Sequence, residues 1–197
     1  LSKCAIDQFI SSKITKYSKP FSGHHLIIKY FRQTNIRFMR HVSLQSIENA
    51  IKKIDNLDDD GLERISETVA LAQETLLGYA MSAAIEYNNP KLEGLLIYYF
   101  CLLNECFVQE GLRLRAVTEA DIDEFEDPYF ELLDTYFDTD NDDLLEEFCD
   151  QPNLTQFMAI EVSTEDDDGT SLDDETATQL FIVSLAIITL LGRAIIE

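Results

Sequence analysis

Between Asp55 and Glu67 the chain reads DNLDDDGLERISE, a spacing of oxygen-bearing side chains suited to a hard cation. Asn56, Asp58 and Asp60 would supply side-chain oxygens, Gly61 a sharp turn, Leu62 a backbone carbonyl and Glu67 a bidentate carboxylate. The same letters also make an ordinary acidic helix start. Asp58 can cap a helix with Leu57 and Leu62 as a hydrophobic staple, or Asp60 can cap it with Glu63 reaching back. The cap makes fewer demands, so calcium chemistry through Asn56, Asp58, Asp60 and Glu67 ranks second to it. A further set, Glu124, Asp127, Glu131 and Asp134, recurs at steps of three and four. On one continuous helix it would form a stripe able to hold Mg²⁺ or Mn²⁺ for phosphate chemistry. Asp127 followed by Pro128 is instead expected to start a new helix and break the stripe, and no glycine-rich phosphate cradle accompanies it.

The first set resembles an EF-hand loop over 12 of the 197 residues, and the resemblance implies calcium held between flanking helices. Two positions depart from that pattern. Asn56 stands where the family nearly always has Asp, and Glu63 stands where it usually has a branched apolar residue that pairs with a second loop. The candidate second loop, Asp138 to Cys149, has Asp143 in place of the turn glycine and Cys149 in place of the last carboxylate. No metal or cofactor is therefore expected.

Other chemistry is thinly supplied. The three histidines, His24, His25 and His41, all fall near the N-terminal end, which disfavours Glu-x-x-His di-iron sites and Cys-His or Ser-His nucleophile pairs. Glu105 sits in an apolar run beside Asn104. A partly buried carboxylate there could act as an acid, but pairing with Arg64, Arg113 or Arg115 is the expected fate. Cys4, Cys101, Cys106 and Cys149 form neither a C-x-x-C pair nor a disulfide framework, which points to a reducing, cytoplasmic setting.

Charge is the strongest signal. The net charge is -22, but residues 1 to 41 carry eight Lys/Arg against one acid, while residues 119 to 175 carry 23 acids and no Lys or Arg. A base-free stretch of that length repels itself and would be disordered if it were also poor in apolar residues. Phe125, Tyr129, Phe130, Leu133, Tyr136, Leu145, Leu154 and Met158 recur in it at helical intervals, so folded helices with an acidic outer face are expected. Such a face repels nucleic acid and steers a basic protein.

These residues must be positioned by helices. Ser43 is a natural cap for the segment after Val42, and Leu62, Ile65, Val69, Ala72, Leu76, Tyr79 and Ala83 step by three and four like the seam of one long bundle helix. The run from Lys91 to Gly111 is apolar nearly all round and should be central, with Gly111 as its stop. Thr118 with Asp121 makes a capping pair, Asn141 and Asn153 are expected to cap short helices, and Ser171 or Thr176 should begin the last helix. The apolar stretch Leu180 to Gly192 is 13 residues long, short of the ~20 that span a bilayer, so it reads as a buried core helix.

The expected fold is an all-α bundle of about six to eight helices, residues 42 to 197, preceded by a basic arm of residues 1 to 41 that holds a short β-hairpin or an extra helix. The expected function is a non-catalytic acidic module binding a basic protein partner through Glu124, Glu131, Asp134, Asp138, Asp140, Asp142 and Asp143, with no nucleic acid and no membrane. The alternative is a metal-dependent phosphohydrolase or calcium binder. The arm is a candidate for docking on the acidic face of the same chain or of a neighbour, the latter giving a homo-oligomer.

Overall fold

Most helix ends follow local chemistry. The computed structural model describes residues 40–139, 143–164 and 171–196. The helix-or-hairpin expectation for the arm and the Asn141 cap lie outside them. The elements are α1 (Leu44–Asp55), α2 (Asp59–Ala72), α3 (Glu74–Glu86), α4 (Lys91–Gln109), β1 (Arg113–Leu114), α5 (Glu119–Thr139), α6 (Asp143–Phe148), α7 (Pro152–Ser163), α8 (Asp174–Arg193) and β2 (Ile195–Ile196). The fold is an all-α bundle. Among the described residues it holds one small sheet, unexpected from the sequence, in which Arg113 faces Ile196 and Leu114 faces Ile195 in antiparallel register.

Ser43 caps α1, its hydroxyl accepting from the Ser46 N–H at 3.2 Å. A single oxygen of Glu110, at the end of α4, accepts from the Ser43 N–H, the Ser43 hydroxyl and the Ser46 hydroxyl at 2.7 to 2.8 Å. The carboxylate thus sits at the positive end of α1 and ties it to α4. Gly111 stops α4 as expected: its φ of 73° is left-handed, and the next N–H, that of Leu112, returns to the Phe107 carbonyl at 3.0 Å.

The core is organised on α8, in which every residue from Thr176 to Leu191 is buried. By length and composition α8 could cross a membrane, but 89% of its apolar window is enclosed by the rest of the fold. Helices α4, α7, α3 and α5 pack around it. Its cap is Asp173, which accepts from the Thr176 N–H at 2.9 Å, so neither Ser171 nor Thr176 starts it. Aspartate adds charge to the cap, where the dipole favours it.

Four further expectations are corrected. The seam from Leu62 to Ala83 is two helices, broken at Gln73 (φ -134°, ψ 43°). The break has a cause that periodicity cannot carry. The buried Gln73 amide donates to the Arg115 carbonyl and accepts from the Val117 N–H, both at 2.9 Å, and so satisfies an irregular segment 42 residues away in the chain. In the second, α5 runs unbroken through Pro128. The missing N–H leaves the carbonyl of exposed Glu124 to water, while buried Phe125, Tyr129, Phe130 and Leu133 hold the helix on either side of the proline. Third, Asn153 does not cap α7: Gln151 precedes the helix, Pro152 opens it, and the Asn153 amide donates to the Val42 carbonyl at 2.9 Å. Finally, Glu105 pairs with Lys53 at 2.8 Å, not with Arg64, Arg113 or Arg115, and also accepts from the Gln109 amide. α1 packs beside α4 and brings the lysine over it.

Replacing Gln73 by Ala strands the buried Val117 N–H and is expected to cost about 1–3 kcal/mol. Urea unfolding checks this as a lower midpoint with an unchanged slope.

Candidate functional site

α3 places Tyr79, Ser82 and Glu86 on one side at steps of three and four, and Tyr87 follows at its end. These face α5 across a small cleft of about 40 Å³ whose base is α8. Buried Ile182, Val183 and Ala186 form the apolar floor, Phe130 of α5 forms part of the wall, and no Lys or Arg lies among the described lining residues. Tyr129 closes the inner end, donating from its hydroxyl to the Ile182 carbonyl at 2.6 Å and stacking on Phe125 at 4.7 Å. That bond fixes the separation of α5 and α8.

The rim is electronegative. Glu126 of α5, outside the cleft lining, is half-buried, and its carboxyl is pushed up, first by burial and then by Asp123, Glu86 and Asp127. Burial likewise raises the Tyr79 hydroxyl, helped by Glu126, Tyr87 and Glu86, and it raises Tyr87, helped by Glu86. Glu86 and Glu126 thus both lie close enough to Tyr79 to raise its hydroxyl.

Because α5 is continuous, Glu124, Asp127, Glu131, Asp134 and Asp138 do share one stripe, on the side of the helix opposite the buried Phe125, Tyr129, Leu133 and Tyr136. Glu124, Asp127, Glu131 and Asp138 are exposed and Asp134 is half-buried. Asp143 is the first residue of α6, while Asp140 and Asp142 lie outside the described residues. Glu126 and Asp123 sit a quarter-turn or so away, between the stripe and the cleft.

The calcium reading of Asn56, Asp58, Asp60 and Glu67 fails on geometry. Asp58 is the cap of α2 and accepts from the Gly61 N–H at 2.9 Å. Asn56 closes α1, its amide donating to the Lys52 carbonyl. Asp60 and Glu67 are both inside α2, about 10 Å apart along its axis, and cannot close on one ion. Gly61 is there for room: a Cβ would come 3.0 Å from the Asp58 carboxylate and 3.1 Å from Leu57. Among the described residues no group of three or more His, Cys, Asp or Glu side chains is placed to hold a metal ion.

The residues missed from sequence are Glu86, Tyr87 and Glu126. Each is unremarkable in its own helix, and nothing in the spacing links α3 to α5 across more than thirty residues. Comparison with protein families, curated proteins and solved structures finds no significant match.

Asp58→Ala is expected to destabilise by about 0.5–2 kcal/mol through the lost cap. Millimolar calcium should leave the Tm of both forms unmoved, and a calcium-dependent rise in the parent alone would restore the loop reading. A second expectation concerns Glu126. Its folded pKa lies above the ordinary value near 4.5, so folding favours the protonated form, and that stabilisation is lost as pH rises through the folded pKa. Glu126→Gln should therefore raise the Tm at pH 7, and the gap should close below about pH 4.5, which thermal melts across pH will show.

Proposed function

We propose that this chain is a non-catalytic, acidic helical module, acting in the cytoplasm, that binds a basic protein surface. The observation that carries the reading is the stripe on α5, five carboxylates at alternating steps of three and four from Glu124 to Asp138, about 21 Å long and turned away from the core. A row of that length and rigidity matches a basic helix or strand, whose charges repeat on the same scale. Association would be steered by the negative field and weakened by salt. Nucleic acid is repelled by the same field.

The arrangement favours a protein partner over a single ion. Carboxylates strung along a straight helix cannot converge, so each meets a separate cation. Elsewhere in the fold, Lys53 meets Glu105, Lys91 meets Asp173, and Arg115 meets Asp121 through both oxygens at 2.6 Å.

Fluorescence anisotropy with a labelled Lys/Arg-rich peptide, run over a salt series, tests the reading. Replacing Glu124 and Glu131 by Gln and Asp127 and Asp138 by Asn should weaken binding at low salt at least about tenfold and flatten the salt dependence, with helicity unchanged. Equal affinity in the variant would overturn the proposal.

A further inference from the structure

The apolar seam of α2 is left open. Of its 14 residues only Gly61 is buried, while Ile65 and Val69 are half-buried and Leu62 is exposed. Two contacts fix its place on α4. The Ser66 hydroxyl meets the Cys101 thiol at 3.5 Å, and Gln73, just past the end of α2, reaches Arg115 and Val117, just past the end of α4. The two helices therefore run in the same sense, and Leu62 and Ile97, each one turn before the Ser66–Cys101 contact, come to the same side of the fold. Ile97 is 40% exposed and Tyr98 beside it 37%, its hydroxyl donating to Asp55 at 3.3 Å. Gly94, a turn earlier, has open space where a Cβ would stand. Leu62, Ile97 and Tyr98 thus form an apolar patch next to bare backbone at Gly94, and the adjoining residues Asp55, Asp59, Asp60, Glu63 and Glu93 border it with exposed carboxylates.

We propose that this patch on α2 and α4 is the dock for residues 6–17 of the same chain. Ile6, Phe9, Ile10, Ile14 and Tyr17 recur there at steps of three and four, and Lys3, Lys13, Lys16 and Lys19 set four cations against the single acid Asp7. An apolar centre with an acidic border is the counterpart of that pattern in both respects. The connection is long enough. The Arg40 carbonyl is held by the Gln151 amide, and Ser43 is tied to Glu110 at the end of α4, so the arm joins the fold beside that end. From Glu110 back to Ile97 is about 20 Å along the helix. Residues 18–39 span up to about 70 Å when extended. Other occupants suit the patch less well. A second copy would press the same acidic border against its own kind, and an anionic membrane surface would be repelled by it. The α5 stripe is acidic too, but among the described residues no large apolar side chain of α5 is exposed to meet Phe9 and Ile10. Docking on α2 and α4 therefore engages the apolar side chains of the arm and leaves the stripe open to a separate partner.

The native cysteines supply the probe. Cys101, Cys106 and Cys149 are buried, so a thiol-reactive nitroxide added to the folded full chain is directed to Cys4, two residues before the docking segment. Methyl NMR spectra should then lose the Leu62 and Ile97 signals, which return when ascorbate reduces the nitroxide. The Phe9→Ser/Ile10→Ser variant should keep both signals, and Ile97→Gln, a change at an exposed position, should keep that of Leu62. The α5 variant with its four neutralised acids should show the same loss as the native chain. No loss, loss confined to α5 methyls such as those of Leu132, loss that survives Phe9→Ser/Ile10→Ser, or loss abolished in the α5 variant each overturns the assignment. A mixture of nitroxide-bearing chain without isotope and ¹³C-labelled chain without nitroxide should retain both signals. Their disappearance in that mixture would place the contact between two copies and overturn docking within one chain.

Discussion

A helix that is apolar on every side must be enclosed on every side, and α8 imposes that condition on the whole chain. Sixteen successive residues, Thr176 to Leu191, are buried. Burial at roughly 25 cal/mol per Å² of apolar surface makes its enclosure the largest favourable contribution available to the fold. The polar groups within it are answered locally, Thr178 and Thr189 donating to carbonyls one turn back, while Asn89 reaches from the α3–α4 corner to Thr176 and Gln179. Ser184 is the exception, a buried hydroxyl without a partner among the described residues.

The acid-rich segment is recruited to that enclosure. It can serve as a wall only by turning Phe125, Tyr129, Phe130, Leu133, Leu145, Leu154 and Met158 inward, which leaves Glu124, Asp127, Glu131 and Asp138 exposed on the opposite side of α5. The repulsion among those charges is spread along a rod and screened by water, while the aromatic contacts are concentrated and dry. Arg193, in the last turn of α8, adds a cation beneath Phe125 and Phe148, where the negative end of the helix also favours it. The exposed acidic side of α5 is thus a consequence of how the core is closed.

Two glutamines finish the irregular joints in the same manner. The buried Gln73 amide pairs with Arg115 and Val117, and the buried Gln151 amide donates to the Arg40 carbonyl and accepts from the Val42 N–H. Each amide pairs with backbone groups two residues apart, as one residue of a neighbouring strand would, and so holds Val117 or Val42 in the core. These joints explain what the sequence could not reveal. Caps at Ser43, Asp58 and Thr118 and the stop at Gly111 were legible because the partner of each lies within one turn. Buried helices were legible from composition. The break at Gln73 was not, because the residues that cause it are far along the chain and the three-four spacing continues on both sides. Pro128 misled for the converse reason: its local preference is real, but the aromatic anchors around it are worth more than one hydrogen bond.

The cleft follows from the same constraint. α3 and α5 both lean on α8, and the bond from Tyr129 to the Ile182 carbonyl sets how closely α5 can approach, so a slot remains between the two outer helices. Glu86 of α3 and Glu126 of α5 come from sequence positions that each helix places for its own surface, and only the packing of both helices on α8 brings the two near one another.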